Sequence, residues 1–477
     1  MFWATDPLTK KQAFWHHLVA GLFYNTFMYY WLYKVMNVGS PWVILPGLGI
    51  LIFTFSLING YLGVLYLSTK QRKWHKLLYP TLWVGVEVAR TKGQMSFPWG
   101  HVGYGFGEYL PWVQPAAWIG VFGLSWLVLW HNGMLYSLIP LIQQGFQKRQ
   151  TVWPKFALGL VLPIALYVIG ALIVWKAPTH AEKSARISLV QPSIDQSQKW
   201  DEVYFEGVVQ KTLNLMHTHS IDSGSLVILP ETAIPDFLKD RWDIQKKFID
   251  WAHTKGVDIV LGSLDYKQYF HPGRPYTFYN SAFLFSADPQ KNVLQYSKQY
   301  LVPFSERLPF DNIFPVINYV NLGEGDFALG DGNKVWGSAY KYSPSICYEV
   351  VYPQFVRSVK REGVDLLLNI TNDGWFGNSA APYQHASMNR FRAVESGVSI
   401  ARSANTGISI FYDVYGRDLG HTSLMEETVL TRTVPLYSRD TLYQSWGDII
   451  EWAFFWLWAL YAIYQFVMWV RSKIKKA

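Results

Sequence analysis

The sequence predicts a two-part protein, a helical membrane bundle joined to a layered α/β domain with mixed sheets. Three observations carry this expectation. Apolar runs of membrane-spanning length recur within residues 1–176 and appear once more at 448–471. Basic residues gather in alternate loops between those runs. From residue 185 to about 440 the pattern changes to short buried strands, which first alternate with helices and later pair as hairpins. Composition points the same way, because 50% of the residues are hydrophobic and only 16% are charged, against about 25% charged in ordinary soluble chains.

Spans are expected near residues 13–33, 42–67, 77–88, 116–141 and 156–175, with a last one at 449–470. The first lacks a small-residue cleavage site and continues into further spans, unlike a signal peptide. Lys10 and Lys11 precede the first span. Lys70, Arg72, Lys73 and Lys76 lie between the second and third, and Lys148, Arg149 and Lys155 between the fourth and fifth. Arg471, Lys473, Lys475 and Lys476 follow the last. The intervening loops hold only Lys34, then Arg90 and Lys92. The positive-inside rule puts the first set in the cytoplasm, and five spans from a cytoplasmic start leave the 185–440 domain outside. Asp6 is the one acid near that set, so its surplus exceeds the formal net charge of +8. The basicity is thus a topology signal, and no nucleic-acid partner is expected.

Two features of the membrane half stand apart. The third span is short and carries Glu87 and Arg90, either a functional pair or a local i,i+3 ion pair that positions a helix. The loop Phe97-Pro98-Trp99-Gly100-His101-Val102-Gly103-Tyr104 is rich in glycine and aromatics. It suits the membrane interface, as the lining of a lipid entrance or as an anchor.

In the outer part, residues 186–192 read as a strand, 198–220 as a helix and 225–230 as a second strand, which ends at Glu231. A helix at 244–255 and a strand at 257–262 follow. Further strands are expected at 277–285, 296–304, 342–348, 365–370, 407–414 and 428–433. Cys347 is the only cysteine, which excludes an intrachain disulfide and any cysteine-rich metal site. Glu231, Lys298 and Cys347 all sit at predicted strand ends. Taken singly, each has an ordinary alternative: a turn cap, a solvated charge and a small buried hydrophobe.

Taken together they carry a resemblance. Leu229-Pro230-Glu231-Thr232-Ala233, Lys298-x-x-Leu301-Val302-Pro303-Phe304-x-Glu306 and Ile346-Cys347-Tyr348-Glu349 resemble the glutamate–lysine–cysteine triad of the nitrilase superfamily. The chain resembles still more closely that superfamily's membrane branch, the apolipoprotein N-acyltransferase family. Asn369-Ile370-Thr371-Asn372-Asp373-Gly374-Trp375-Phe376-Gly377 extends the likeness, as do Gln384-His385, Arg390 to Glu395 and Arg402-Ser403-Ala404-Asn405-Thr406-Gly407. In the membrane half, Phe97-Pro98-Trp99 and Gly120-Val121-Phe122-Gly123-Leu124-Ser125 do the same. There are departures. The family usually has eight spans where six are counted here, so the amino end looks short, by loss of two spans or because the true start lies upstream. Ser305 stands where glycine is common.

The resemblance implies an extracytoplasmic nitrilase-like domain, an α-β-β-α sandwich, in the inner membrane of a bacterium. It implies a phospholipid as acyl donor and the amino-terminal amine of an S-diacylglyceryl-cysteine lipoprotein as acceptor. No cofactor or metal is expected, and a monomer is. Glu231 would be the base, Cys347 the nucleophile that holds a thioester, and Lys298 the cation facing the oxyanion, helped by a backbone N–H near Cys347–Tyr348. Glu306 matches a second functional glutamate, Tyr348 and Glu349 flank the nucleophile, and Trp200 matches a tryptophan near the site. Trp375 and Phe376 would help keep water out. The alternatives for Glu349, and for Tyr348 and Trp200, are a hydrogen bond to Lys298 and packing. His385 reads as a satisfied structural histidine, and Asn369, Asn372 and Asp373 as turn residues rather than metal ligands. The main competing function is a membrane-bound amidase or other hydrolase that uses the same triad with water as acceptor. A transporter carrying a sensor domain and a non-catalytic lipoprotein binder are the others.

Overall fold

The computed structural model describes residues 2–37, 41–139, 149–268, 276–310, 313, 326–437 and 439–475. Lys148, Lys476 and the last two residues of the predicted fourth span lie outside the described residues. The chain divides into two compact units. One comprises Met1–Tyr30, Leu45–Lys176 and Ser445–Ala477, and the other Trp31–Ile44 and Ala177–Gln444.

The first unit is helical, with helices at Lys10–Tyr29, Pro41–Thr69, His75–Ala89, Ala116–Tyr136, Arg149–Lys176 and Leu442–Ile474. Among the described residues three stretches are long and apolar enough to cross a membrane: Ile44–Thr69, Gly159–Lys176 and Leu442–Ile474. The Lys10–Tyr29 helix starts at a capping box, in which the Thr9 side chain accepts from Gln12 N–H and the Gln12 side chain accepts from Thr9 N–H. It stops at Tyr29, earlier than the sequence suggests, and the chain tightens into a 3₁₀ turn at Tyr30–Asn37. Leu62, Leu65, Leu82 and Val86 form a buried cluster with Trp458 and Tyr461 packed against it. Gly85 makes this packing possible, since a Cβ there would lie 2.3 Å from Trp458 Cβ and 2.5 Å from the Phe454 carbonyl oxygen.

Glu87 and Arg90 are not paired with each other as the i,i+3 reading expects. Glu87 accepts from Val102 N–H (3.0 Å) and Trp83 Nε1 (3.3 Å). Arg90 donates to the carbonyls of Trp99 (2.6 Å) and Phe97 (3.4 Å) and to the Tyr29 hydroxyl (3.0 Å). Both side chains are turned instead to the backbone of the aromatic loop, which they fasten.

The second unit is a four-layer α-β-β-α sandwich. Among the described residues one sheet has seven strands, in the order β12 (Thr428–Pro435), β1 (Ser184–Gln191), β2 (Leu226–Ile228), β4 (Asp258–Gln268), β5 (Tyr276–Phe285) and β6 (Leu294–Ser297), with β3 (Ile234–Phe237) paired to β4. The other has five, in the order β11 (Asp418–His421), β10 (Ile410–Tyr412), β9 (Ser399–Ala404), β8 (Leu366–Thr371) and β7 (Tyr342–Ile346). The sheets meet where Ser403 Oγ of β9 donates to the carbonyls of Val190 (3.1 Å) and Ile228 (3.0 Å). Helices Phe205–Thr218 and Trp242–Lys255 cover the first sheet through Val209, Leu213, Ile244 and Phe248. Helices Pro353–Arg361 and Ala380–Ser396 belong to the second.

Several elements differ from expectation: β9 is not among the expected strands, β10 and β7 are shorter than the strands expected at 407–414 and 342–348, and a helix and a strand near the site have other bounds. The helix expected at 198–220 begins only at Phe205, because the Asp195 and Asp201 side chains accept from Ser197 and Val203 N–H and cap two short turns first. The strand expected at 296–304 ends at Ser297, with Lys298 N–H still donating to the Asn280 carbonyl of β5 (2.9 Å). In this layout β7, β8 and β9 run parallel, as do β1, β2 and β4. The carboxyl ends of such strands are where α/β folds place their chemistry.

Candidate active site

Glu231 follows β2 after Leu229 and Pro230, Lys298 follows β6, and Cys347 follows β7. Each therefore stands at or just beyond the end of a strand. Cys347 opens a 3₁₀ turn, Cys347–Val351, with φ of 51°, a left-handed conformation that costs a non-glycine residue about 1–3 kcal/mol and persists only where its surroundings enforce it.

Lys298 is 1% exposed and lies between two carboxylates, with Nζ 2.7 Å from Glu306 Oε1 and 3.4 Å from Glu231 Oε1. Asn280 Nδ2 of β5 bridges the same pair, at 2.8 Å from Glu231 Oε1 and 3.1 Å from Glu306 Oε1. Asn372 N–H donates to the other Glu231 oxygen (2.9 Å), and Lys199 Nζ donates to the Glu231 carbonyl (3.0 Å). Glu306 Oε2 accepts from Val302 N–H (2.8 Å), which closes its loop upon itself.

Burial works against the charge of Lys298, but Glu306 and then Glu231 outweigh it and hold the ammonium pKa well above the ordinary lysine value. The Cys347 thiol is pushed far up, first by burial and then by the Glu231 charge, while Lys298 pulls the other way. The resting thiol is therefore protonated, and its proton must leave during attack rather than before it. The Lys298 ammonium interacts electrostatically with Glu306, Glu231 and the Cys347 thiol, and the thiol with Glu231, which groups these four residues.

The remaining expected residues divide. Glu349 is fully buried and accepts from Ile346 N–H (2.7 Å), Gln299 N–H (2.5 Å) and the Tyr296 hydroxyl (2.7 Å). It thus joins the backbone beside Lys298 to the backbone before Cys347, and is not a direct partner of Lys298. Burial raises its pKa to about 7, a rise that those donors limit. Tyr348 is buried with its ring edge-on to Tyr352 at 5.4 Å. Trp200 ends the Gln196–Lys199 turn, so its neighbour Lys199, rather than Trp200 itself, touches Glu231. Trp375 and Phe376 are half-buried on the 3₁₀ turn Asp373–Phe376, and the Phe376 ring meets Trp31 edge-on at 4.8 Å. Among the described residues no hydrogen bond or ion pair links Trp200, Trp375 or Phe376 to Glu231, Lys298 or Cys347.

A buried group that sequence reading treated as turn and packing residues also belongs here. Arg402 donates to Asp373 Oδ2 (2.6 Å) and Asn369 Oδ1 (2.6 Å). His385 Nδ1 lies 3.0 Å from Asp373 Oδ1, and its Nε2 lies 3.2 Å from the Cys347 carbonyl. Burial alone would raise the Asp373 pKa, but Arg402 and then His385 pull it down to about 2. The signal for this group was an arginine inside the apolar strand Ile400-Ala401-Arg402, which needs a buried anion. For Asn280 the signal was one amide in the run Tyr279-Asn280-Ser281-Ala282-Phe283.

Comparison with known proteins gives a consistent family. The model for carbon-nitrogen hydrolases matches residues 186–443, and that for the apolipoprotein N-acyltransferase N-terminal domain matches residues 1–134. An apolipoprotein N-acyltransferase of Geobacter metallireducens is 33% identical over 457 residues, which is 94% of this chain and 85% of the relative. Another, of Rickettsia prowazekii, is 31% identical over 386 residues, 80% of this chain and 74% of the relative. Nit3 of Saccharomyces cerevisiae, a nitrilase-superfamily protein of solved structure, aligns with 57% of this chain and 97% of its own, at 16% identity and a TM-score of 0.40.

Proposed function

The chain belongs to the apolipoprotein N-acyltransferase family, and from that premise we propose that it moves a fatty acyl chain from a phospholipid, through a thioester on Cys347, to the amino-terminal amine of an S-diacylglyceryl-cysteine lipoprotein. The observation that supports this best is the buried Lys298, held by Glu231 and Glu306 in the field of the Cys347 thiol.

In the first half-reaction Glu231 takes the thiol proton as sulfur bonds to the ester carbonyl carbon. The oxyanion that forms faces the Lys298 ammonium and the N–H of the Cys347–Tyr348 peptide. When it collapses, the carbon–oxygen bond breaks and Glu231 returns the proton to the lysophospholipid oxygen. In the second half-reaction the lipoprotein amine attacks the thioester and passes a proton to Glu231. The carbon–nitrogen bond forms, the carbon–sulfur bond breaks, and the thiol is restored. A thioester suits this exchange because it acylates amines readily. Glu306 keeps Lys298 in position, and Trp375, Phe376 and Trp200 shield the site from water.

The protein acts as a monomer in the inner membrane of a bacterium, with its catalytic domain on the periplasmic side. The alternating loop charges support this orientation. So does the grouping of Trp31–Ile44 with Ala177–Gln444 in one compact unit, because segments packed together lie on one side of a membrane.

The test is transfer of a labelled acyl chain from phospholipid to a diacylglyceryl-cysteine peptide in detergent micelles. Wild-type protein is expected to transfer label with ping-pong kinetics. Cys347→Ser is expected to lose several orders of magnitude, the size of loss seen when one member of a nucleophile–base unit is removed. Near wild-type transfer by Cys347→Ser would refute the thioester route. Steady fatty-acid release at an undiminished rate without acceptor would favour the hydrolase.

A further inference from the structure

We infer that His385 and Asn369 are positioning residues of the oxyanion site, clamping the Cys347 carbonyl so that the N–H of the same peptide unit is aimed at the reacting carbonyl. The inference deepens the acyl-transfer reading above and rests on it.

The Cys347 carbonyl receives two side-chain donors, His385 Nε2 at 3.2 Å and Asn369 Nδ2 at 3.3 Å. A carbonyl oxygen only accepts, so Nε2 must carry a proton. The surroundings allow this in either charge state. In the neutral ring Arg402, 3.2 Å from Nδ1, donates to that nitrogen, and in the imidazolium Nδ1 donates to Asp373 Oδ1 at 3.0 Å. Both donors are themselves held from behind by one guanidinium. Arg402 binds Asn369 Oδ1 through NH1, and through NH2 the Asp373 carboxylate that faces His385. All four side chains are buried, so the frame is protected from competing water.

The geometry of the peptide bond gives the clamp its consequence. The carbonyl of Cys347 and the N–H of Tyr348 belong to one planar trans unit and point in opposite directions. Fixing the oxygen therefore fixes the N–H. Two donors on the oxygen also polarise the unit and strengthen that N–H as a donor. Cys347 needs such a restraint, because its φ of 51° is one that an L-residue rarely adopts. Releasing the carbonyl would let the peptide rotate out of its aim.

The role separates from general support of the thiol by comparing two reactions of Cys347 in the full-length protein in detergent. Acylation by a fluorescent phosphatidylethanolamine forms an oxyanion, whereas alkylation by iodoacetamide does not. For His385→Leu the ratio of the acylation to the alkylation rate should fall about 10²-fold, the size of effect seen on losing one oxyanion donor. His385→Gln, whose amide can donate to the same carbonyl, should restore most of it. Asn369→Ala removes the second donor with His385 in place, and gives the same ratio test should the leucine side chain prevent folding. An unchanged ratio overturns the inference, whether both rates persist or both fall together. Wild-type protein that is alkylated but never acylated removes the transferase reading itself, and the clamp's role with it.

Discussion

Lys298 Nζ is 2.7 Å from Glu306 Oε1, closer than to any other carboxylate oxygen it pairs with, although Glu306 lies only eight residues further along the chain on its own loop. The loop carboxylate, rather than the one at the end of β2, is thus the main counter-ion of the buried cation. In the proposed reaction this leaves Glu231, whose oxygens are also held by Asn280 and Asn372, to exchange a proton with the thiol.

Replacing Glu306 should therefore act through Lys298. Glu306→Ala is expected to fold and insert, yet to lose about 10- to 100-fold in turnover, as for a group that positions a charge in the transition state. Glu306→Gln should fall between it and wild type, because the amide oxygen can still accept from Lys298 but carries no charge. Steady-state transfer assays on both variants check this, and an unchanged rate for Glu306→Ala would return the residue to a loop-closing role.

Asp373 sets an acid limit on the α-β-β-α domain. Its pKa is held at about 2 in the folded protein and lies near 3.9 in an unfolded chain. The stabilisation is complete above about pH 4 and is lost as pH falls through about 2. Tryptophan fluorescence of the detergent-solubilised protein should show stability falling across that window in wild type. Asp373→Asn should be less stable at neutral pH and flatter across the window. Parallel acid curves for the two proteins would contradict the Arg402–Asp373–His385 account.

The orientation can be read with reporters. A fusion at the carboxyl end, after the basic run Arg471, Lys473 and Lys475, should report a cytoplasmic location. An insertion between Asp331 and Gly332 should report a periplasmic one. Both reporters on one side would remove the proposed topology.

Much of the site was legible because Glu231 and Cys347 each follow a buried strand that stands out as an apolar run, and Lys298 opens the motif Lys298-x-x-Leu301-Val302-Pro303. What surrounds them was not. Lys199 carries no signal of its own in Gln198-Lys199-Trp200, and only the fold turns its ammonium inward onto the Glu231 carbonyl. Asn280 sits in a strand, where one polar residue is ordinary, and its role appears only when β5 brings it beside carboxylates 49 and 26 residues away. Asn369, Asp373 and His385 have common local uses in turns and helices. Their joint use depends on Arg402, which reaches them across β8 and β9. Helix ends failed for a different reason, since local aspartate caps at Asp195 and Asp201 overrode a helical pattern.

The central claim is that Cys347 carries the acyl group between donor and acceptor. Its most direct test is the intact mass of the purified protein after exposure to phospholipid without acceptor. Wild-type protein should gain one fatty-acyl mass, mapped to Cys347, removed by hydroxylamine and discharged on addition of a diacylglyceryl-cysteine peptide, while Cys347→Ala gains none. An unmodified wild-type mass, or an adduct that persists in Cys347→Ala, would contradict the account.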